Sequence, residues 1–238
     1  MYSTYTIAIC DILGFEKLVA GIQLERIIDN SINWLRRAIH HSIFQSGFPE
    51  NVPTLDELQK HSHIGIAWFS DTILLYTRQD TDECLLSLIS TLYWLLFETM
   101  FTSQTRLRCG VSYGKAYMDQ ANSIYVGMAI VEAYHLEKRQ SWAGGALTQD
   151  AVKRIPELYR SGEYADCSVI PYKVPIKNGE YFDTLAINWT TGIHTGLKFQ
   201  WSSKSSEPTE KDWELRRDVC EKWRNTKKFH DDVCHWCK

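Results

Sequence analysis

The sequence predicts an α+β domain of the ferredoxin-like, split βαβ kind. Three observations lead there. β-rich and helical runs interleave in the order strand, helix, second helix, strand, strand, helix, strand, helix, strand. One consecutive strand pair, 63–69 and 72–77, is joined by a tight polar turn at Ser70-Asp71 and reads as a hairpin. A central hairpin between two crossover helices fits a split βαβ sheet and does not fit a doubly wound parallel one.

Each element has its own signal. Residues 5–10 (YTIAIC) are apolar on both faces, as in a central strand, and end at Asp11. Leu13-Gly14-Phe15 breaks the run. Leu18, Ile22, Leu24, Ile27, Ile28, Ile32, Leu35 and Ile39 then follow at helical spacings, with Gly21 as a division point. Residues 44–60 read as loop, from Gly47, Pro49 and Pro53. Residues 81–101 predict a long helix capped by Thr81 or Asp82. Residues 106–113 alternate as a strand that ends at Gly114, with 115–118 pairing back. Residues 126–138 carry a helical stripe of Ile130, Ala133 and Leu136. A break is expected at 142–145, a short helix at 148–159, and late strands at 168–174 and 185–189. A polar linker is expected at 202–208 and a charged helix at 212–228. The boundaries implied are a domain over 1–190 and an extension over 191–238 that packs on it.

Composition narrows the class. With 238 residues and 44% hydrophobic content the chain can build a substantial core. A net charge of -3 offers no basic excess for nucleic acid. The seven cysteines are odd in number and irregularly spaced, and residues 1–6 lack a secretory pattern. Cytoplasmic location with mostly free thiols is the expectation. No apolar run reaches the roughly 20 residues of a membrane span, and the best candidate, 85–101, reads as a buried helix.

Two aspartates stand where chemistry gathers. Asp11 closes the first strand and Asp71 sits in the hairpin turn, so a split βαβ sheet brings both carboxylates to one edge. Paired hard oxygens suit Mg²⁺ or Mn²⁺. Gly14 and Phe15 open a helix just after Asp11, where backbone N–H groups favour phosphate. Turn and cap chemistry accounts for the same residues, so the aspartates alone leave both readings open.

Residues 11–18 (DILGFEKL) resemble the D-[IV]-x-G-F-[ST]-x-L signature of class III nucleotide cyclases. Residues 69–74 (FSDTIL) are similar to that family's G-D-x-x-[LM] hairpin, with Ser70 in place of Gly. Residues 108–114 (RCGVSYG) resemble R-[IV]-G-[IV]-x-x-G. Tyr125-Val126-Gly127 with residues 133–137 (AYHLE) is similar to the family's Gly-x-x-V-N-x-A-x-R-L-E helix. The four blocks stand in family order over roughly residues 5–140. The resemblance implies a cyclase in which Asp11 and Asp71, with Ile12, bind two divalent ions. It implies attack of the ribose 3′-hydroxyl on the α-phosphate, phosphate contacts from Gly14 and Phe15, and a homodimer with shared sites. Arg106 and Arg108 are the further phosphate candidates.

The departures are specific. The family's purine-reading positions correspond to Ala67 and Ile124, neither of which can hydrogen-bond a base edge through its side chain. Its transition-state Asn and Arg correspond to Val131 and His135, which leaves Arg106, Arg108, Lys138 and Arg139 as possible sources of charge. With the late segments at 172–175 and 186–189, these losses resemble the Pycsar-type bacterial antiphage enzymes. That resemblance implies conversion of UTP or CTP to a cyclic nucleotide that acts on a separate effector. The alternatives are an adenylate or guanylate cyclase, or a non-catalytic cyclase-like domain. At the C-terminus His230, Cys234, His235 and Cys237 lie close together. A zinc site and an ordinary terminal helix or tail are both open there.

Overall fold

The computed structural model describes residues 2–101, 105–160, 168–190, 210, 214 and 217–234. The expected linker at 202–208 lies outside them, as do His235 and Cys237.

The centre of the fold is β1 (Tyr2–Ile12), which is paired on both sides and buried from Tyr5 onward. It leads into α1 (Phe15–Gly21), α2 (Leu24–Ile27), a π-helical turn (Ile28–Ile32) and α3 (Asn33–Phe44). The division at Gly21 is present. Burial begins only at Ile27, while Val19, Ile22, Leu24 and Ile28 are exposed. The expected loop contains α4 (Leu55–Leu58), one helical turn closed by a Thr54/Glu57 capping box. β2 (Ile64–Phe69) and β3 (Thr72–Thr77) form the hairpin, and α5 (Asp82–Phe101) follows. By length and apolarity α5 would pass for a membrane span. In the fold Leu85, Leu88, Leu92, Leu95 and Leu96 are buried in the main core.

Two of the boundaries that differ from the sequence reading have a plain cause. Gly114 does not end a strand: β4 runs from Leu107 to Asp119, because β1 continues opposite it as far as Tyr2. The segment that pairs back on β4 is β5 (Ile124–Val126) instead. The expected break at 142–145 contains the start of β6 (Gly144–Leu147), which pairs in parallel with β4. With two glycines and no β-branched or aromatic residue, β6 carries none of the usual strand signals.

α6 (Met128–Arg139) lies between β5 and β6. After β6 come α7 (Gln149–Arg154), α8 (Glu157–Arg160), β7 (Val169–Pro175), β8 (Tyr181–Ile187) and α9 (Arg217–Cys234). The sheet order is β2-β3-β1-β4-β6-β8-β7, with β5 on the end of β4. Strands β2-β3-β1-β4 are the antiparallel split βαβ core. The larger hydrophobic cluster takes residues from α3, α5, α7 and α9. The smaller one lies under α6 on β1, β3 and β4. α6 approaches β4 so closely at Gly110 that a Cβ there would collide with the Ala133 carbonyl oxygen and the Glu137 nitrogen. Only glycine fits at that contact.

Candidate active site at the end of β1

Asp11 is the next-to-last residue of β1 and pairs in register with Thr72, so Asp71 in the adjoining turn lies beside it. The Ile12 N–H donates to the Asp71 carbonyl at 3.1 Å, and the Leu13 N–H to the Arg106 carbonyl at 2.9 Å. These bonds tie the end of β1 to both neighbouring strands. The turn is held in a left-handed conformation at Ser70, with φ 55°. Gly14 is left-handed at φ 79°, which glycine adopts without steric cost, and it turns the chain into α1. No side chain caps that helix start.

Asp11, Gly14, Phe15, Asp71, Arg106 and Lys138 line one cavity of about 560 Å³. Ile12, Leu13, Glu16, Lys17 and Ala143 extend the same lining, and α9 closes one side through Asp218, Val219, Lys222, Trp223 and Thr226.

The ionic environment of Asp11 is built from α6 and β4. The Lys138 ammonium lies 3.1 Å from Asp11 Oδ1, and Arg108 Nη2 lies 3.6 Å from Oδ2. Arg108 is itself held by the wholly buried Glu137, with Nε 2.6 Å from Oε1 and Nη2 2.5 Å from the same oxygen. Its Nη1 donates to the Gln140 carbonyl at 3.1 Å. Burial pushes the Glu137 carboxyl above its ordinary range and Asp11 adds to this, while Arg108 opposes it. For Lys138 burial alone would lower the affinity for its proton, but Glu137 and Asp11 outweigh it and the net shift is upward.

The donor set fits a hard divalent cation. The Lys138 ammonium already places a positive charge at an Asp11 oxygen, from a side chain that is 40% exposed. No group of three or more His, Cys, Asp or Glu residues placed to hold a metal ion occurs among the described residues. An ion held by Asp11 and Asp71 would complete its shell with water, backbone carbonyl or ligand phosphate oxygens, as Mg²⁺ commonly does.

The other expected site residues fall in different places. Ile12 lines the cavity although it is almost wholly buried. Arg106 lines it and donates from Nη1 to the Thr99 carbonyl at 2.6 Å, and burial lowers its pKa. Arg108, expected as a phosphate ligand, is 4% exposed and does not line the cavity, because Glu137, Asp11 and the Gln140 carbonyl engage it from within. Ala67 lies midway along β2, half-buried against the smaller core cluster. Ile124 is exposed on β5. Neither lines the cavity. Val131 and His135 are exposed on α6, outside it. His135 and Arg139 line a second concavity of about 470 Å³ with Lys138, Lys177 and Glu180.

Sequence reasoning missed the α9 wall. The recurrence at 218, 219, 222, 223 and 226 marks one helical face, but periodicity does not say what that face meets.

This architecture is that of the class III nucleotidyl cyclase domains. Among solved structures, the guanylate cyclase domain of RhGC from Catenaria anguillulae, solved with GTP, matches at TM-score 0.55 and 13% identity. The match covers 79% of this chain and 98% of that one. The catalytic core of a rhodopsin-guanylyl cyclase with converted specificity, solved with ATPαS, matches at TM-score 0.52 and 12% identity, over 79% and 96% of the two chains. A non-canonical dimeric guanylyl cyclase domain of the RhoGC fusion protein from Blastocladiella emersonii matches at TM-score 0.50 and 12% identity, over 79% and 97%. No protein-family profile and no curated protein sequence matches the chain.

Proposed function

We propose that the chain is a pyrimidine nucleotide cyclase, converting UTP or CTP to the 3′,5′-cyclic monophosphate and diphosphate. The observation behind this is the contrast within one fold. Asp11 and Asp71 share a cavity with Gly14, Phe15 and Arg106, while the family's purine-reading positions are held by Ala67 and Ile124.

Mg²⁺ or Mn²⁺, two ions per site, would supply the positive charge that lowers the barrier to attack of the 3′-oxygen on the α-phosphate. The chain's own residues prepare the ground. Arg108 and Lys138 fix the orientation of the Asp11 carboxylate. The turn through Gly14 presents backbone to the phosphates, and Arg106 adds a cation on the same wall.

The reading includes a homodimer. Ile124, Val126, Met128, Val131 and Tyr134 follow one another along β5 and α6 and are all exposed. An apolar run of this kind suits a second copy better than water. The cyclic product would act on a separate effector in bacterial antiphage defence, a role that rests on the resemblance of the sequence alone. A second reading, an adenylate or guanylate cyclase, draws on the GTP and ATPαS carried by the two structural neighbours with the higher TM-scores.

The test is incubation of the purified chain with each of the four nucleoside triphosphates and Mn²⁺, followed by detection of cyclic product. Cyclic UMP or cyclic CMP is expected. A purine product selects the second reading, and no product from any triphosphate overturns both.

A further inference from the structure

The wall contributed by α9 has features that a packing helix does not need. The helix is firmly docked. Phe229 is fully buried, with its ring 4.7 Å from Trp142, 4.8 Å from Tyr172 and 5.6 Å from Trp189. Thr226 Oγ1 accepts from the Ala143 N–H at 2.8 Å, and Asn225 Nδ2 donates to the Ser141 carbonyl at 2.7 Å. These anchors come from the stretch just after α6, the helix that carries Lys138. The cavity face of α9 is therefore fixed relative to Asp11.

On that face Lys222 is placed differently from the other lysines of the helix. Lys227 lies 2.8 Å from Asp231, and Lys228 lies 2.5 Å from Asp232. Lys222 meets Asp218 at 3.8 Å, at the limit of an ion pair, and Asp218 is 68% exposed. Exposed pairs of that length contribute little. Burial pushes the Lys222 ammonium toward deprotonation, and the positive charges of Arg108, Lys177 and Lys17 push in the same direction, with Asp218 opposing. A half-buried ammonium among cations is unfavourable unless an anion joins it. The space it borders holds Asp11, Asp71 and the Gly14 turn.

We infer that Lys222 is a phosphate ligand of the Asp11/Asp71 cavity, supplied by the C-terminal helix of the same chain and taking the triphosphate tail of the nucleotide. The inference rests on the reading of that cavity as a triphosphate site. It gives the site a cation from an element outside the split βαβ core, in a chain with His135 where the family pattern has Arg.

The test uses inorganic tripolyphosphate with Mn²⁺, titrated calorimetrically into the full chain, so base identity and turnover play no part. Wild type is expected to bind. Lys222→Met is expected to bind about 10- to 100-fold more weakly, as for loss of one charge-assisted contact, and Lys222→Arg to recover most of the affinity. Without phosphate, Lys222→Met is expected to unfold no lower than wild type, because the ion pair it loses is the long one to exposed Asp218. Equal binding by wild type and Lys222→Met overturns this inference and leaves the cavity reading intact. Weaker binding with a lowered unfolding temperature and no rescue by Lys222→Arg also overturns it, because that pattern marks a purely structural lysine. No binding by wild type overturns the cavity reading and this inference with it.

Discussion

The carboxyl end of β1 and the outer face of α6 are built by opposite rules. At the end of β1, Asp11 is paired with Lys138 and Arg108, and Arg108 with the buried Glu137. The cavity there is walled by β1, the hairpin, α1, α6 and α9 of one chain. On the outer face of α6, Val131, Tyr134, His135 and Arg139 face solvent, next to exposed Met128 and Val126. The buried charges fix one geometry. The exposed face fixes none by itself and leaves room for contributions from another chain. Gly110 links the two regions, because the close contact it allows holds α6 against β4 and so sets where Lys138 and Glu137 reach.

The largest effect is expected at Asp71. Asp71→Asn keeps the shape of the side chain but removes its charge, and turnover of the preferred triphosphate should fall by more than about 100-fold with the circular dichroism spectrum unchanged. Full activity in that variant would remove Asp71 from the reaction.

Next comes the buried pair. Arg108→Met leaves Glu137 without its main partner and should cost about 3–5 kcal/mol in denaturant unfolding. Adding Glu137→Leu should restore much of that loss, because two apolar side chains replace two buried charges. A double variant no more stable than Arg108→Met alone would show that Glu137 is not what makes the single change costly.

On the outer face the expected pattern reverses. Val131→Asp should change monomer stability by no more than about 0.5 kcal/mol, yet shift the chain toward monomer in sedimentation velocity and reduce cyclase activity with it. A dimer unaffected by this charge would place the interface elsewhere.

The smallest effect is expected in the hairpin turn. Ser70 is left-handed, a conformation that costs a non-glycine residue roughly 1 kcal/mol. Ser70→Gly should therefore stabilise the chain by about 0.5–1 kcal/mol, measured by the denaturant midpoint. A loss of stability would mean that the Ser70 side chain compensates for the strain.

Much of this architecture was legible in the residues. Asp11 and Asp71 stand out because each ends a β-rich run, and strand order alone brings such ends together in a split βαβ sheet. The tight turn at Ser70-Asp71 was legible too, though its left-handed conformation at Ser70 was not read from the residues. Three further features were not legible, each for a physical reason. β6 is four residues of small side chains, and its strand identity comes from pairing with β4 rather than from propensity. The commitment of Arg108 to Glu137 spans 29 residues of sequence and follows from α6 crossing β4, which no local pattern encodes. The position of α9 depends on an aromatic cage of Trp142, Tyr172 and Trp189 drawn from three separate segments.

That cage has a consequence in time as well as in space. Asp11 and Lys222 are 211 residues apart. At synthesis rates of about 5–20 residues per second, the lysine is translated roughly 10–40 s after the aspartate. The β-sheet core can form on a nascent chain during that interval, but the cavity gains its last wall only when Phe229 has left the ribosome and found its three rings. A chain cut short before α9 would keep both aspartates and expose them in an open cleft.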